Sequence, residues 1–576
     1  MSSPAHSHTY PPTHLYRDLL ALFTLALALN TLAASFISQP GYMDAYYYFG
    51  GALQLARGRG FTEPYLWNYL ALSPNASSLI TPFDCAATGL RAPLACAMGE
   101  GRGGGFPSHL YWMPLTSMIA APFLALAERL AGTQLPNGTL FRVAQIAFVS
   151  LASVLPLLCY AVAELATGLR RHARAAALLA IFSGFYVPFW PNTDAFTLYG
   201  LAAGGALLAA GLAVRSQSAR WFFIAGLCAG LAHLTRADGV LLILVICGLS
   251  ILRRYGIPAT RYAFFFSLSG YLLIVLPWLL RNWLAVGALL APGGMRALWL
   301  TEYNDIFNYP ADTLTPARYF ASGWAVILAG KWSAFLTNAG TLIGPLGLIV
   351  AFPFIVAGLW RLRRNPLFAP VILYGLSLFV LMTLVFTFPG ARGGLFHSGA
   401  ALLPFFFPAA LVGLDAAVEA AARRRPHWQP EKAKPVFTAL LIALAAGLTA
   451  LIFQMRVIGP DPRRPSFSQA NVAYSEIGDW LTRGVPCCAP TIVAVNNPPG
   501  FYYFTGHPGI VIPNGGPDAL LRVMKDFGAR WAVLDSNTPA GLKELYTTPR
   551  GEPRLQLRAT FTDEEGRSVY LFELKE

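Results

Sequence analysis

Apolar runs of about 20 residues, each long enough to cross a lipid bilayer, recur along this sequence from Leu19 to Gln454. Of the 576 residues, 55% are hydrophobic and only 12% are charged, whereas an ordinary soluble domain has roughly a quarter of its residues charged. The sequence therefore predicts a polytopic α-helical membrane protein with about 11 transmembrane helices, at 19–38, 140–165, 175–190, 195–214, 221–234, 239–252, 262–280, 335–360, 367–388, 399–421 and 436–453.

The basic residues lie in short clusters between the apolar runs. The formal charge of +14 does not indicate a nucleic-acid partner, because these residues form no single polar face. Clusters of Arg and Lys are typical of cytoplasmic loops. We therefore expect an integral plasma-membrane protein with a cytoplasmic N-terminus and an extracytoplasmic C-terminus, and with inside clusters at 170–174, 215–220, 253–261, 361–364 and 423–434.

The requirement that all these clusters lie on one side of the membrane settles the arrangement of two ambiguous stretches. Segment 114–131 is predicted to be re-entrant or interfacial, because a full crossing would place the cluster at 170–174 outside. Segment 221–252 is predicted to be two short helices that meet at an outside turn. A single helix there would place Arg236 and Asp238 in mid-membrane.

The chain divides into a cytoplasmic tail (1–18), a transmembrane catalytic domain (19–455) and an extracytoplasmic domain (456–576). Two large outer loops, 39–113 and 281–332, belong to the membrane part. The last domain alternates apolar runs such as "TIVAVN" and "WAVLD" with the helical pattern "DALLRVMKDFGA" and turn signals such as "NNPPG". This alternation predicts a small α/β domain. We expect the function to reside on the outer face.

Two cysteines, Cys85 and Cys96, lie in the first outer loop. They either form a disulfide or remain free thiols, and the sequence leaves both possibilities open. No Cys-x-x-Cys pair and no Cys/His spacing in the sequence suggests a zinc site.

Two acids are the candidate catalytic residues. Asp44 follows the first helix in "QPGYMDAYYYFGG", on a segment whose apolar spacing predicts a helix in the membrane interface. A carboxylate there can bind a divalent cation such as Mg²⁺ or Mn²⁺, or deprotonate an acceptor hydroxyl; the alternative is a helix cap. Asp194 begins another outer helix in "FWPNTDAFTLYG" and has the same alternatives. Both acids emerge on one face, where helix packing can bring them together.

Several cations on the outer face run against the usual bias of positive charge toward the cytoplasm. They are explained if they bind an anionic lipid headgroup, because guanidinium pairs phosphate oxygens in a fork and Lys adds a point charge. Unspecific headgroup contact is the alternative. The candidate substrate-binding residues are Arg236, Arg281, Lys331, Arg392 and His397, with His109 as a further candidate beside the aromatic Tyr111 and Trp112.

These segments resemble the GT-C superfamily of polyprenyl-phosphate-sugar-dependent membrane glycosyltransferases, in the branch of the protein O-mannosyltransferases and the aminoarabinose transferases. The similarity covers most of the membrane part and rests on "GYMDAYYYFGGA", "PLTSMIAAPFLAL", "TDA", "GLAHLTRADGVLL", "LPWLLRNWLAVG" and "RGGLFHSGAALLPF". The resemblance implies inverting transfer of a hexose or pentose from a polyprenyl-phosphate carrier to a hydroxyl of a lipid, glycan or protein. It assigns a base or metal-ligand role to Asp44, and phosphate binding to Arg236, Arg281 and Arg392.

The sequence departs from the O-mannosyltransferase pattern at Asp44-Ala45, where an adjacent acidic pair is usual, so it does not favour protein mannosylation. The implied partners are the lipid-linked sugar donor, the acceptor and membrane lipids. The alternative function is that of a membrane transporter or lipid flippase with a similar helix count. Such a protein would carry polar residues along its helix centres, whereas the centres here are largely apolar.

Overall fold

The structure is a computed structural model that describes residues 12–72, 106–251, 260–425, 427–484 and 491–575, so Cys85 and Cys96 lie outside the described residues. Three short apolar helices in this part of the chain are Ala219–Thr235, Ala237–Leu249 and Phe352–Leu362. By length and composition, seven further helices among the described residues can cross a membrane: His14–Ser35, Asn137–Thr167, Ala195–Ser216, Tyr262–Val286, Pro366–Val385, Thr387–Ala422 and Pro430–Ile458. The predicted set of long apolar helices is confirmed, while the count of about 11 spans stays a prediction.

The span predicted at 335–360 is wrong, because the structure has two helices there, Trp324–Thr341 and Phe352–Leu362. Between them Leu348 and Ile349 adopt φ values of 47° and 58°, the left-handed region that β-branched and bulky residues rarely enter. The Leu348 side chain is only 1% exposed. Its packing therefore holds a backbone turn that local propensity does not favour.

The span predicted at 175–190 begins earlier and is shorter, since its helix is Arg170–Ile181. Asp18 of the first helix accepts hydrogen bonds from Arg170 at 2.7 Å and from Arg174 at 2.8 Å. These two arginines therefore lie in the first two turns of a helix that packs against the first helix of the chain, whereas the sequence analysis placed them in a loop.

The two short helices predicted across 221–252 are confirmed as Ala219–Thr235 and Val240–Ile251, joined by a tight turn. Gly239 is required in this turn, because an added Cβ would lie 2.5 Å from the backbone nitrogen of His233. The turn carries Arg236 at the end of the first helix.

Segment 114–131 is a helix, Leu115–Ala131, that packs against the helix Met43–Ala56 of the first outer loop. The Ser117 hydroxyl donates a hydrogen bond of 2.8 Å to the backbone oxygen of Tyr48, which joins the two helices at a buried point. This contact holds the helix that carries Asp44.

Glycines allow the helix Phe352–Leu362 to cross the helix Leu403–Ala422 backbone to backbone. A Cβ added at Gly358 would lie 1.8 Å from the backbone oxygen of Ala409 on the second helix. A Cβ added at Gly413 would lie 1.9 Å from the backbone oxygen of Phe354 on the first. Small residues at helix crossings permit this close approach inside a membrane.

We expect Gly413→Ala to destabilise the folded protein by about 1–3 kcal/mol, because the new methyl group overlaps a backbone that cannot move aside. Gly447→Ala is the matched control, since no atom lies within 4 Å of its added Cβ. The control should unfold at the wild-type temperature or slightly above, because Ala favours helix. Thermal unfolding in detergent compares the two, and equal midpoints would contradict the close crossing.

The first outer loop contributes three short strands, β1 Thr62–Glu63, β2 Tyr65–Leu66 and β3 Phe106–Pro107, and β1 pairs with β3 in a separate two-stranded sheet. The tail contributes β4 Val493–Val495, β5 Gly509–Val511, β6 Trp531–Leu534, β7 Leu555–Thr562 and β8 Ser568–Leu574. The C-terminal domain is built on a six-stranded sheet with the order β2-β5-β4-β6-β8-β7. Strands β2, β5, β4 and β6 are parallel, while β8 and β7 are antiparallel to their neighbours. The longest helices of the domain are Ala473–Gly484, Pro498–Thr505 and Pro517–Phe527.

The small α/β domain predicted at the C-terminus is thus present, but its sheet is not formed by the tail alone. Strand β2 comes from the first outer loop and pairs with β5 of the tail. The Tyr69 hydroxyl reinforces this connection by donating a hydrogen bond to the backbone oxygen of Val511. The loop that carries Asp44 is therefore tied directly to the C-terminal sheet.

Candidate functional site

Asp44 lies in the first turn of the helix Met43–Ala56 and lines two adjoining cavities. The N-cap position of this helix belongs to Tyr42, so Asp44 is not its cap. The helix is buried from Ala45 to Gln54. Its rigid packing holds the carboxylate at a helix N-terminus, where the helix dipole favours negative charge.

Asp194 is the N-cap of the helix Ala195–Ser216, and one of its carboxylate oxygens accepts a hydrogen bond from the Ala195 backbone N–H. The capping alternative is therefore correct for this oxygen. The other oxygen accepts a hydrogen bond of 2.6 Å from the Tyr42 hydroxyl. Asp194 is only 1% exposed, so both oxygens of this buried carboxylate have a hydrogen-bond partner.

Asp44, Asp194 and His397 meet in one cluster, although they come from three distant parts of the chain. One potential ligand atom from each residue lies within 4.8 Å of the other two. The sequence predicted that the two acids meet, but it placed His397 among the cations that bind substrate. The structure adds His397 to the acids.

The hydrogen bonds of His397 determine which ring nitrogen can act as a ligand. Its Nδ1 lies 2.9 Å from the backbone oxygen of Gly393, which can only accept, so Nδ1 donates this hydrogen bond. Its Nε2 is buried without a hydrogen-bond partner among the described residues and lies 3.5 Å from a carboxylate oxygen of Asp194. The ring stacks on Phe196 at 3.9 Å. Nε2 is therefore the nitrogen that faces the acids and that could bind a metal.

The electrostatics of the cluster favour a divalent cation. Burial, together with the neighbouring charge of Asp194, raises the pKa of Asp44 to about 6. The buried carboxylate of Asp194 and the half-buried carboxylate of Asp44 repel each other, and a cation between them would relieve this repulsion. Two carboxylate oxygens with one imidazole nitrogen suit Mn²⁺ or Zn²⁺. Mg²⁺ prefers oxygen ligands alone, so this donor set fits it less well.

One of the two cavities, which we call the helix-side cavity, has a volume of about 370 Å³ and extends from Asp44 between the membrane helices. Arg236 and Arg392 supply its positive charge. Arg236 donates hydrogen bonds of 3.0 Å to Asp238 and to Ser398. The rest of the lining is mainly apolar and includes Val240, Leu241, Leu244, Leu381, Met382 and Phe386.

The other, which we call the sheet-side cavity, has a volume of about 490 Å³ and lies between Asp44 and the C-terminal sheet. Asp44, Arg392 and His397 line both cavities, and so do Trp67 and Trp112. The cluster of acids therefore stands at the junction of an apolar cavity and a cavity closed by the α/β domain.

Three predicted substrate-binding residues line neither cavity. Arg281 stacks on Trp278 at 4.7 Å and donates a hydrogen bond to a backbone oxygen of the first outer loop. Lys331 donates a hydrogen bond of 2.6 Å to the backbone oxygen of Leu384, at a break in a helix. Both ring nitrogens of His109 lie within hydrogen-bond distance of serine hydroxyls, at 2.7 and 2.9 Å. These three residues hold the loops and helices around the site.

Two tyrosines of the site were not selected from the sequence. Tyr42 precedes Asp44 by two residues and holds Asp194, which the segment "GYMDAYYY" did not reveal. Tyr303 lies in the second outer loop, lines both cavities and stacks under Arg392 at 4.9 Å. No spacing or motif in the sequence points to Tyr303.

No family model matches this chain, and no curated protein matches it in sequence. In fold it is similar to the crystal structure of the oligosaccharyltransferase from Archaeoglobus fulgidus in complex with Zn and sulfate. The TM-score is 0.55 and the identity 12%, over 96% of this chain and 72% of that chain. It is also similar to the oligosaccharyltransferase AglB from the same organism, in complex with an inhibitory peptide and a dolichol-phosphate. There the TM-score is 0.53 and the identity 12%, over 96% of this chain and 74% of that chain. At this identity the similarity establishes the fold alone, and the chain therefore has the fold of these two archaeal oligosaccharyltransferase structures.

Proposed function

We propose that this protein is an inverting glycosyltransferase that moves a sugar from a polyprenyl-phosphate carrier to a hydroxyl group of a lipid, glycan or protein acceptor. The observation that carries the proposal is the position of Asp44, Arg392 and His397 at the junction of the two cavities. The fold supports the same class of reaction, because one of the similar oligosaccharyltransferase structures holds a dolichol-phosphate.

The helix-side cavity suits the donor. Its apolar walls match an isoprenoid chain, which stays in apolar surroundings because burying each CH₂ group is worth about 0.8 kcal/mol. The guanidinium groups of Arg236 and Arg392 lie where the carrier's phosphate would meet Asp44. Arg236 is held in place by its bonds to Asp238 and Ser398. Hydrogen-bonding cationic groups that are already held in position stabilise the negative charge that develops on a leaving phosphate.

The sheet-side cavity suits the acceptor, and the transfer takes place between the two cavities. The acceptor oxygen attacks the anomeric carbon from the face opposite the phosphate, which inverts its configuration. The bond between this carbon and the phosphate oxygen breaks, and its electron pair leaves with the lipid phosphate. The hydroxyl proton passes to the Asp44 carboxylate. Asp44 contributes one oxygen to the cluster, so its other oxygen can take this proton.

A divalent cation held by Asp44, Asp194 and His397 would act as a Lewis acid that stabilises negative charge at this junction. The chain prepares the site in two ways. The Tyr42 hydroxyl orients Asp194, and the Gly393 backbone oxygen orients the His397 ring. Such neighbours of a metal ligand typically set its tautomer and direction.

We also propose that the site faces the outside of the plasma membrane, with the N-terminus in the cytoplasm. The five basic clusters between the apolar runs support this orientation. A tag at the C-terminus should be cut by a protease added to intact cells. Cleavage that needs prior permeabilisation of the membrane would reverse the orientation.

The decisive experiment supplies the purified full chain in proteoliposomes with a polyprenyl-phosphate-linked hexose or pentose, lets water take the place of the acceptor hydroxyl, and measures the free polyprenyl phosphate released by this slow hydrolysis. We expect release that EDTA abolishes and Mn²⁺ restores, because the cluster of two acids and one imidazole can hold a cation that would assist the transfer. A transporter or flippase would move the lipid without cleaving it. Quantitative recovery of intact lipid-linked sugar, with every metal tried, would therefore contradict the proposed function.

A further inference from the structure

The sheet-side cavity has one wall at the carboxyl ends of three parallel strands. Asn496 follows β4, Ile512 follows β5 and residues 537–539 follow β6, and all of them line this cavity. The space outside the carboxyl ends of parallel strands is where α/β sheets commonly bind ligands. The transfer step described above uses none of these residues, so they can serve to recognise the acceptor.

The side chain of Asn496 is held in one orientation. Its Nδ2 donates hydrogen bonds of 2.5 Å to a carboxylate oxygen of Asp535 and of 3.2 Å to the backbone oxygen of Asn537. Both partners can only accept, which identifies the nitrogen, and both N–H groups are then used. The amide oxygen is therefore the part of Asn496 that remains to accept a hydrogen bond from a ligand.

Asp535 holds Asn496 and the residues after β6 in place through hydrogen bonds. It also accepts a hydrogen bond of 2.8 Å from the Asn537 backbone N–H, and its backbone oxygen accepts one of 2.5 Å from the Thr538 hydroxyl. With its proton given to Asp535, the Thr538 oxygen can only accept a further hydrogen bond. The wall thus offers two neutral acceptors, Asn496 and Thr538, to hydroxyl groups in the cavity.

Aromatic rings form a large part of the lining of the same cavity. Trp67 and Trp112 stack on each other at 3.7 Å and both line it. Aromatic faces carry negative potential and pack favourably on the C–H faces of sugar rings. The other aromatic residues of the lining are Tyr42, Phe189, Phe196, Tyr303, Phe307 and Phe396.

Charge is confined to one end of this cavity. Among the described residues that line it, only Asp44, Arg392 and His397 have acidic or basic side chains, and the transfer step uses all three. The residues of the lining that come from the second outer loop and the C-terminal sheet are uncharged. A phosphate or carboxylate on the acceptor would therefore find no cation of its own here, and its desolvation would not be repaid.

We propose that the sheet-side cavity binds the terminal residue of an uncharged glycan as the acceptor, by hydrogen bonds to Asn496 and Thr538 and by contact with the aromatic walls. This assignment rests on the proposed glycosyltransferase function, because it names the acceptor of the same reaction. It selects a neutral sugar over a phosphorylated lipid or a peptide, since the cavity combines neutral acceptors with aromatic rings and has no cation to spare.

The test uses the purified full chain in detergent and three fluorescent probes: neutral hexose tetrasaccharides, oligogalacturonate and a Ser/Thr-containing peptide. We expect saturable binding of at least one neutral tetrasaccharide and weaker binding of the other two probes. Asn496→Ala and, as a variant that disturbs Asp535 less, Thr538→Val should each weaken this binding roughly tenfold, as the loss of one buried hydrogen bond does. Lys543→Ala, an exposed change on the same domain, is the matched control.

Tight binding of oligogalacturonate or of the peptide, binding of no neutral sugar, or unchanged affinity in both cavity variants would overturn the assignment. Release of polyprenyl phosphate by slow hydrolysis, measured without acceptor, reports on the donor side separately. If that release is absent while a neutral sugar still binds through Asn496, the proposed reaction fails and the sugar site stands. Normal hydrolysis without binding of a neutral sugar removes only the acceptor assignment.

Discussion

Asp44→Asn should yield a protein that folds and binds donor but turns over at least about a hundredfold more slowly than the wild type. Asn keeps the shape of the side chain but removes its negative charge and its basicity. Because Tyr42, and not Asp44, occupies the N-cap of this helix, the change should leave the segment folded. The measurement is the initial rate of polyprenyl phosphate release at saturating donor, with donor affinity determined in parallel.

Glu63→Gln is the matched control in the same outer loop, because Glu63 lines neither cavity. Burial raises the pKa of Glu63 to about 8, so its carboxyl group is protonated and neutral at pH 7. The neutral amide of Gln therefore leaves the charge at this position unchanged. Turnover should stay near the wild-type value. In the folded wild type Glu63 keeps its proton up to about pH 8, whereas in the unfolded chain Glu63 loses it above the ordinary pKa of 4.5. Wild-type stability should therefore fall between pH 4.5 and about 8 through this group, and the variant should lack that contribution.

Near-wild-type turnover of Asp44→Asn would remove both the base and the metal-ligand role from Asp44. Asp194 would then be the remaining acid of the cluster. Its own substitution is harder to interpret, because one of its oxygens caps the helix Ala195–Ser216.

Arg392→Glu should weaken donor binding by about 2 kcal/mol or more, roughly a thirtyfold rise in Kd, because a carboxylate would then face the carrier's phosphate in a partly desolvated cavity. Arg392 is the cleaner of the two cavity arginines to test. Arg236 pairs with Asp238, so its loss would leave this half-buried carboxylate with only the Ser398 hydroxyl as partner. Binding of polyprenyl phosphate itself, measured by titration in detergent, isolates this contribution from catalysis.

Lys331→Gln is the control for this measurement. Lys331 is a cation of the same predicted set, but it donates to the backbone oxygen of Leu384 and lines neither cavity. Donor affinity should be unchanged in this variant. An equal loss of affinity in both variants would mean that general positive charge on the outer face, rather than Arg392, attracts the carrier.

Local pattern was enough to predict some features of the fold and the site. The apolar runs predicted membrane helices because burial in lipid demands a long apolar segment. The pair Ala219–Thr235 and Val240–Ile251 was predicted because Arg236 and Asp238 interrupt the apolar run. The break at Leu348 was not predicted from the sequence. A non-glycine residue lies in the left-handed region there because its buried side chain holds it, and local preference does not indicate such a turn.

The sequence by itself determined the apolar helices, the pattern of a C-terminal α/β domain and the two acids at the starts of helices. Only the tertiary structure decided which of the predicted cations share a cavity with Asp44. Arg236, Arg392 and His397 do, whereas Arg281 does not. The order of apolar runs orients each loop relative to the membrane, but the direction of a side chain around its helix depends on packing with distant residues. For the same reason the two-residue strand β2, too short to show any periodicity, became visible only through its pairing with β5.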